Sequence, residues 1–297
     1  MKLQNCFHCV AIFLMPISPA FAEQSKRRPE LYVINADGTG LRELVKEETP
    51  FIHQGSPSWS GDGQRIAFDS HKGSGVTGSH VMVVNADGTE LRDLGKGLLP
   101  SFSPDGRRIV FCQYNGSNIC IMKVDGTGKK EVMKGGWAPK WSPDGSKIAI
   151  SGSNITIYDL ETGTTHNLLV GEQSGYSETW GFAWSPDNRQ ICFRGQTDEK
   201  KLVVAAVDVK GSDKGFKVLL REHTDHRLSW HPGGKQVLYA MWNPMRKLHQ
   251  MYVMDLEQPT KVRLILGQPI DRQNLGAQWS PDGQRIVFSS AELIEDE

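Results

Sequence analysis

Apolar residues in this chain come in short runs broken by glycine, asparagine, aspartate or proline. Leu31-Tyr32-Val33-Ile34, Val81-Met82-Val83-Val84 and Ile119-Cys120-Ile121-Met122 are too short for packed helices and rich in β-formers. Each meets an Asp-Gly turn, as in Asn35-Ala36-Asp37-Gly38-Thr39, and then a weaker apolar stretch. Asp-Gly between two such runs signals a hairpin, because glycine takes positive φ without steric cost. Looser versions occupy 155–168, 203–219 and 251–264.

A second hairpin alternates with the first. Trp279-Ser280-Pro281-Asp282-Gly283 leads into Ile286-Val287-Phe288, and relatives of this stretch start at Trp59, Phe102, Trp141, Trp184 and Trp230. The aromatic positions are separated by 43, 39, 43, 46 and 49 residues. A repeat near 40 residues that holds two hairpins is the signature of a four-stranded propeller blade. The Trp hairpin supplies the two inner strands and the Asn-Ala-Asp-Gly-Thr hairpin the two outer ones. The chain starts on an outer hairpin and finishes on an inner one, so the two must join to close the ring. The expected fold is all-β: a six-bladed β-propeller over 31–290 whose last blade is shared by both ends. Proline, aspartate and glycine of the repeat set the turns, and the large aromatics fill the space between sheets. Because they recur in blade after blade, these residues are structural rather than catalytic.

Outside the repeat, residues 1–22 read as an export signal. Lys2 precedes the apolar run 9–15, and Ala20-Phe21-Ala22 supplies the small residues at a cleavage site. Residues 23–30 form a short tail and 291–297 an acidic one. No run is apolar enough to cross ~30 Å of hydrocarbon, so the mature chain is expected in the periplasm or secreted, as a monomer. Lys+Arg 34 against Asp+Glu 34 gives zero formal charge, which argues against a nucleic-acid partner.

The alternating motifs resemble the propeller repeat of TolB, the periplasmic component of the Tol–Pal envelope system, across 31–290. TolB carries an α/β domain ahead of its propeller; none fits between Ala22 and Leu31. The resemblance implies a non-enzymatic, Pal-like protein or peptide partner from the cell envelope. Related blades occur in prolyl oligopeptidases and in oligogalacturonate lyase. No Gly-x-Ser-x-Gly elbow accompanies them here.

Residues that break the repeat carry any chemistry. Those just before each aromatic converge on the channel: His53-Gln54, Lys96-Gly97, Gly135-Gly136-Trp137, Glu178-Thr179-Trp180, Thr224-Asp225-His226-Arg227 and Arg272-Gln273-Asn274. The expected partner site is His53, Trp137, Glu178, Trp180, Asp225, His226 and Arg272 at one channel mouth. The alternative is a metal-dependent polysaccharide lyase-like enzyme in which His53, His223 and His226 hold a divalent transition metal. Calcium on Asp225, Glu178 and backbone carbonyls is a further option. His71–Ser79 and Met241–Lys247 are irregular loops that offer binding surface. Cys112 and Cys120 flank an Asn-Gly turn and are candidates for a cross-strand disulfide; Cys192 stands where other blades bury Ala or Val.

Overall fold

Within each inner hairpin, serine and aspartate lock the turn. Ser280 Oγ accepts from Arg285 N (2.9 Å) and donates to Asp282 Oδ1 (2.5 Å), which also accepts from Gln284 N (2.9 Å). Ser60–Asp62, Ser103–Asp105, Ser142–Asp144 and Ser185–Asp187 repeat the bond at 2.5–2.6 Å. The fifth copy substitutes His231, whose Nδ1 accepts from Gly233 N at 2.9 Å. Outer turns close the same way: Thr39 N and Oγ1 both donate to Asp37 Oδ1, at 2.9 and 2.7 Å.

The computed structural model describes residues 29–45, 53–72, 76–114, 117–152, 154–168, 176–197, 199, 201–210, 216–220 and 224–292. The export signal, most of the 23–30 tail, His223 and the acidic end beyond Glu292 lie outside them. The hairpins form six four-stranded antiparallel sheets. Blades I to V begin with the inner strands His53–Trp59, Leu98–Phe102, Trp137–Trp141, Tyr176–Trp184 and Thr224–Trp230, and run outward in chain order. Blade VI takes its two inner strands, Arg272–Trp279 and Arg285–Glu292, from the end of the chain. Its two outer strands, Glu30–Asn35 and Arg42–Glu43, come from the beginning. Glu30 pairs with Ser290 and Asn35 with Arg285, so the ring closes through a full antiparallel ladder and no sheet edge is left between the ends.

The core is divided into six layers, one between each pair of neighbouring blades. Between VI and I, Leu31, Val33 and Val287 meet Trp59, Ile66 and Phe68; between II and III, Leu98, Cys112 and Ile119 meet Trp141 and Ile148. Alternation along each strand sends successive side chains into different layers. This overturns the disulfide expectation. Cys112 is opposite Ile119 and Cys120 opposite Phe111, so the two sulfurs fall on different faces of blade II. Cys112 lies in the layer with Trp141 and Cys120 in the layer with Phe102; both are free thiols. Cys192 is fully buried, as its repeat position indicates.

Candidate functional site

Antiparallel order sorts the loops. Turns within the hairpins, all built from the repeat motifs, share one end of the ring. The irregular connections, and with them the start of every inner strand, share the other. At that end each inner strand contains a bulge three residues before its aromatic. Ser56, Leu99, Ala138, Gly181 and Gly276 all take positive φ, between 44° and 66°, and the ladder to the second strand shifts register there. Three of the five are not glycine, so the channel wall holds backbone strain. Blade V has Arg227 at this position.

The free edge of the inner strands is covered by serines one residue before the aromatics. Ser58 Oγ accepts from Phe102 N, Ser101 Oγ from Trp141 N and Ser229 Oγ from Trp279 N, at 3.1, 3.3 and 2.9 Å. Each links one blade to the next. In blade III this position is Lys140, whose backbone carbonyl accepts from Trp184 Nε1 at 3.2 Å.

The expected mouth residues divide into three groups. His53 is buried and stacks face to face on His71, ring centroids 4.3 Å apart. Trp137 is half-buried against the layer between blades II and III. Glu178 and Trp180 pair in register with Gln196 and Arg194, and Asp225 and His226 lie in the inner strand of blade V; the side chains of all four are outside the description. Arg272 has a different job. Its guanidinium contacts Glu30 Oε2 and Glu292 Oε1, each at 2.9 Å, and Ser290 Oγ at 3.1 Å, and it lies over the Tyr32 ring. It joins the first strand of the chain to the last. Among the described residues no group of three His, Cys, Asp or Glu side chains gathers as a metal site.

Two further features stand out, the first lying partly in the Met241–Lys247 loop already singled out from the sequence. One is an exposed apolar group at the irregular end, in the connections of blades V and VI: Trp242 is 42% exposed, Met245 91% and Ile270 50%. Trp242 packs edge-on against His249, whose Nδ1 is 2.9 Å from Gln273 Nε2 at the start of blade VI's inner strand. The other is Asp69, whose Oδ2 accepts from the strained Leu99 N at 2.7 Å. Its signal was visible: Asp69 follows Phe68 where other blades carry Cys112, Ser151, Arg194, Ala240 and Ser289, so it is the one acidic residue at this position.

These features define a closed six-bladed propeller with one regular and one irregular end. No family model matches the chain. Residues are 26% identical over 285 positions to Dipeptidyl-peptidase 5 of Porphyromonas gingivalis, covering 72% of this chain and 40% of that one. They are 27% identical over 146 positions to a Protein TolB homolog of Chlorobium luteolum, covering 46% and 33%. The chain thus spans less than half the length of either relative. A solved TolB structure from Agrobacterium tumefaciens superposes with a TM-score of 0.70 at 19% identity, covering 90% of this chain and 99% of that one. The fold is a TolB-like six-bladed β-propeller.

Proposed function

We propose that this protein is an exported, non-enzymatic propeller that captures a protein or peptide of the cell envelope at the irregular end of its channel. The observation that carries the reading is the exposure of Trp242, Met245 and Ile270 in the connections at that end. Tryptophan and methionine are enriched in protein interfaces, and exposed apolar patches rimmed by polar residues mark interaction sites. On the channel side the proposed surface continues through the half-buried Trp137 and the inner-strand positions Glu178, Trp180, Asp225 and His226. The repeat residues are all engaged in turn locks and layers, which leaves this end as the place for recognition. Likeness to the TolB homolog supports an envelope setting and a Pal-like partner.

The test is capture from an envelope extract on immobilised residues 23–297, with wild type, Trp242→Ala and Trp180→Ala compared at equal loading. One protein retained by wild type and lost from both variants supports the reading. Equal retention by all three removes the irregular end as the docking surface.

A further inference from the structure

At the regular end the seams between neighbouring blades are built from the same repeat residues, yet one of them differs. Three blades carry arginine five residues after the serine of the inner turn: Arg285, Arg65 and Arg108. Each guanidinium lies over the aromatic of the next blade, Trp59, Phe102 and Trp141, at 4.8, 5.7 and 4.8 Å from the ring centre. Arg285 Nη2 also donates to Gly63 O at 3.2 Å and Arg65 Nη2 to Gly106 O at 3.0 Å, so both seams are tied from blade to blade. Arg108 makes no such bond to Gly145. Among the described residues its half-buried guanidinium has the face of Trp141 and no hydrogen-bond or ion-pair partner.

The inner turns supply the reason. Blade I has Gly61 where the other five turns have proline. A Cβ on Gly61 would stand 1.9 Å from Pro104 O, so the close approach of those two turns requires glycine. Both tied seams include the turn of blade I. The seam between blades II and III has Pro104 on one side and Pro143 on the other. It holds an open cavity of about 380 Å³ lined by Ser103, Pro104, Asp105, Arg108, Asp144 and Gly145. Beneath the guanidinium, Trp141 is 6% exposed and its Nε1 has no partner, whereas Trp59 Nε1 crosses its own seam to Gln278 O at 3.3 Å. The same seam therefore combines an unpaired guanidinium edge, an unpaired buried N–H and a cavity.

We propose that this cavity between blades II and III binds a hydroxyl-rich ligand, a sugar ring. Arg108 offers donors only and calls for oxygen acceptors. Asp105 and Asp144 line the wall with Oδ1 engaged in the turns, the first by Ser103 Oγ and Arg107 N, the second by Ser142 Oγ, Ser146 N and Ser146 Oγ. Their Oδ2 atoms accept from no described residue. Both carboxyl groups are ionised at neutral pH, so the lining holds one positive and two negative charges. An anion meets the carboxylates and a cation meets the guanidinium. A hydroxyl is neutral and does both jobs: adjacent sugar hydroxyls accept from Arg108 and donate to the Oδ2 atoms. The volume lies at the small end of ligand sites, roughly 300–1,000 Å³, which suits a sugar unit rather than a folded partner. The cavity is at the end of the ring opposite the irregular mouth, so the site is independent of any partner docked there.

The experiment is saturation-transfer NMR on the mature protein at neutral pH, with methyl β-glucoside, methyl β-galactoside and methyl α-mannoside titrated separately. Acetate and N-methylacetamide serve as anionic and peptide-like probes. Saturable transfer to at least one glycoside is expected, with Kd raised about tenfold or more in Arg108→Gln and raised also in Asp144→Asn. Glutamine already stands at this repeat position in blades IV and V, as Gln190 and Gln236, so Arg108→Gln keeps the fold; a thermal melt checks both variants. No saturable transfer to any glycoside overturns the proposal. Equal glycoside binding by wild type and Arg108→Gln overturns it too, and so does saturation by acetate or N-methylacetamide where the glycosides have no effect.

Discussion

Arg272 and Glu30 meet at 2.9 Å although 242 residues separate them in the chain. Glu30 opens the first strand; Arg272 opens the inner strand of the same blade. The contact, with Glu292 and Ser290 on the other side of the guanidinium, is a lock on ring closure. Its Arg side chain is 15% exposed and shields the hydrogen bonds from water.

Arg272→Met should therefore act on stability. Losing one partner of a hydrogen-bonded, largely buried charge costs about 1–3 kcal/mol, and Glu30→Gln should cost less because Glu30 is the more exposed partner. Chemical denaturation of both variants measures this. Loss of partner capture by Arg272→Met with unchanged stability would return the residue to the binding surface.

The turn locks make the fold sensitive to acid. Bonds from Ser60, Ser103 and Ser185 are the largest cause holding Asp62, Asp105 and Asp187 below the ordinary carboxylate value. A carboxyl group with a depressed folded pKa stabilises above its unfolded value, near ~3.9, and loses that contribution as pH falls through the folded one. The contribution of these three carboxylates should be flat above about pH 5 and fall progressively below about pH 4. Substituting all three aspartates with asparagine should flatten the acid limb, as read by denaturation midpoints from pH 2 to 7.

Lys140 gives a slope of the same sign in a higher pH window. Burial, with Arg227 adding to it and Asp69 opposing, pushes its ammonium down to about 8 from 10.5. The unfolded chain then holds the proton more tightly, so the charge opposes folding fully below about pH 8 and the penalty fades toward pH 10.5. Lys140→Met should stabilise by on the order of 1–3 kcal/mol at pH 7 and hardly at all above about pH 10.5. Melting temperatures at the two pH values decide it. Equal gain at both would mean that packing, rather than charge, is responsible.

The channel bulges store strain that can be relieved. Ala138 has φ 44°, a region that costs a non-glycine residue roughly 1–2 kcal/mol. Ala138→Gly should be neutral or stabilising by up to about 1 kcal/mol, because relief offsets the entropy lost by glycine. Ala149→Gly, in a fully buried second strand, should destabilise instead. A thermal melt showing both variants equally destabilised would place no strain at the bulge.

Local chemistry made the architecture legible. Asp282-Gly283 and Asp37-Gly38 set turns through bonds that span two to five residues, so their repetition counted the blades and their order revealed the shared sixth one. Repeat position likewise marked Cys192 as buried. For Cys112 and Cys120 the motif could not decide, because a one-residue change of register exchanges the faces of a strand; only the ladder Cys112–Ile119 separated them.

Arg272, Lys140 and Arg227 show what lay beyond the sequence. It determined that Arg272 sits at the start of an inner strand, but only closure of the ring brought Glu30 to it and made it a clasp between the two ends of the chain. It determined that Lys140 and Arg227 depart from the repeat, but they lie 87 positions apart, and only the circular packing of blades set them on the wall of one channel. Short-range hydrogen bonds can be read from neighbouring residues; the electrostatic environment of a charge depends on what the whole ring places beside it.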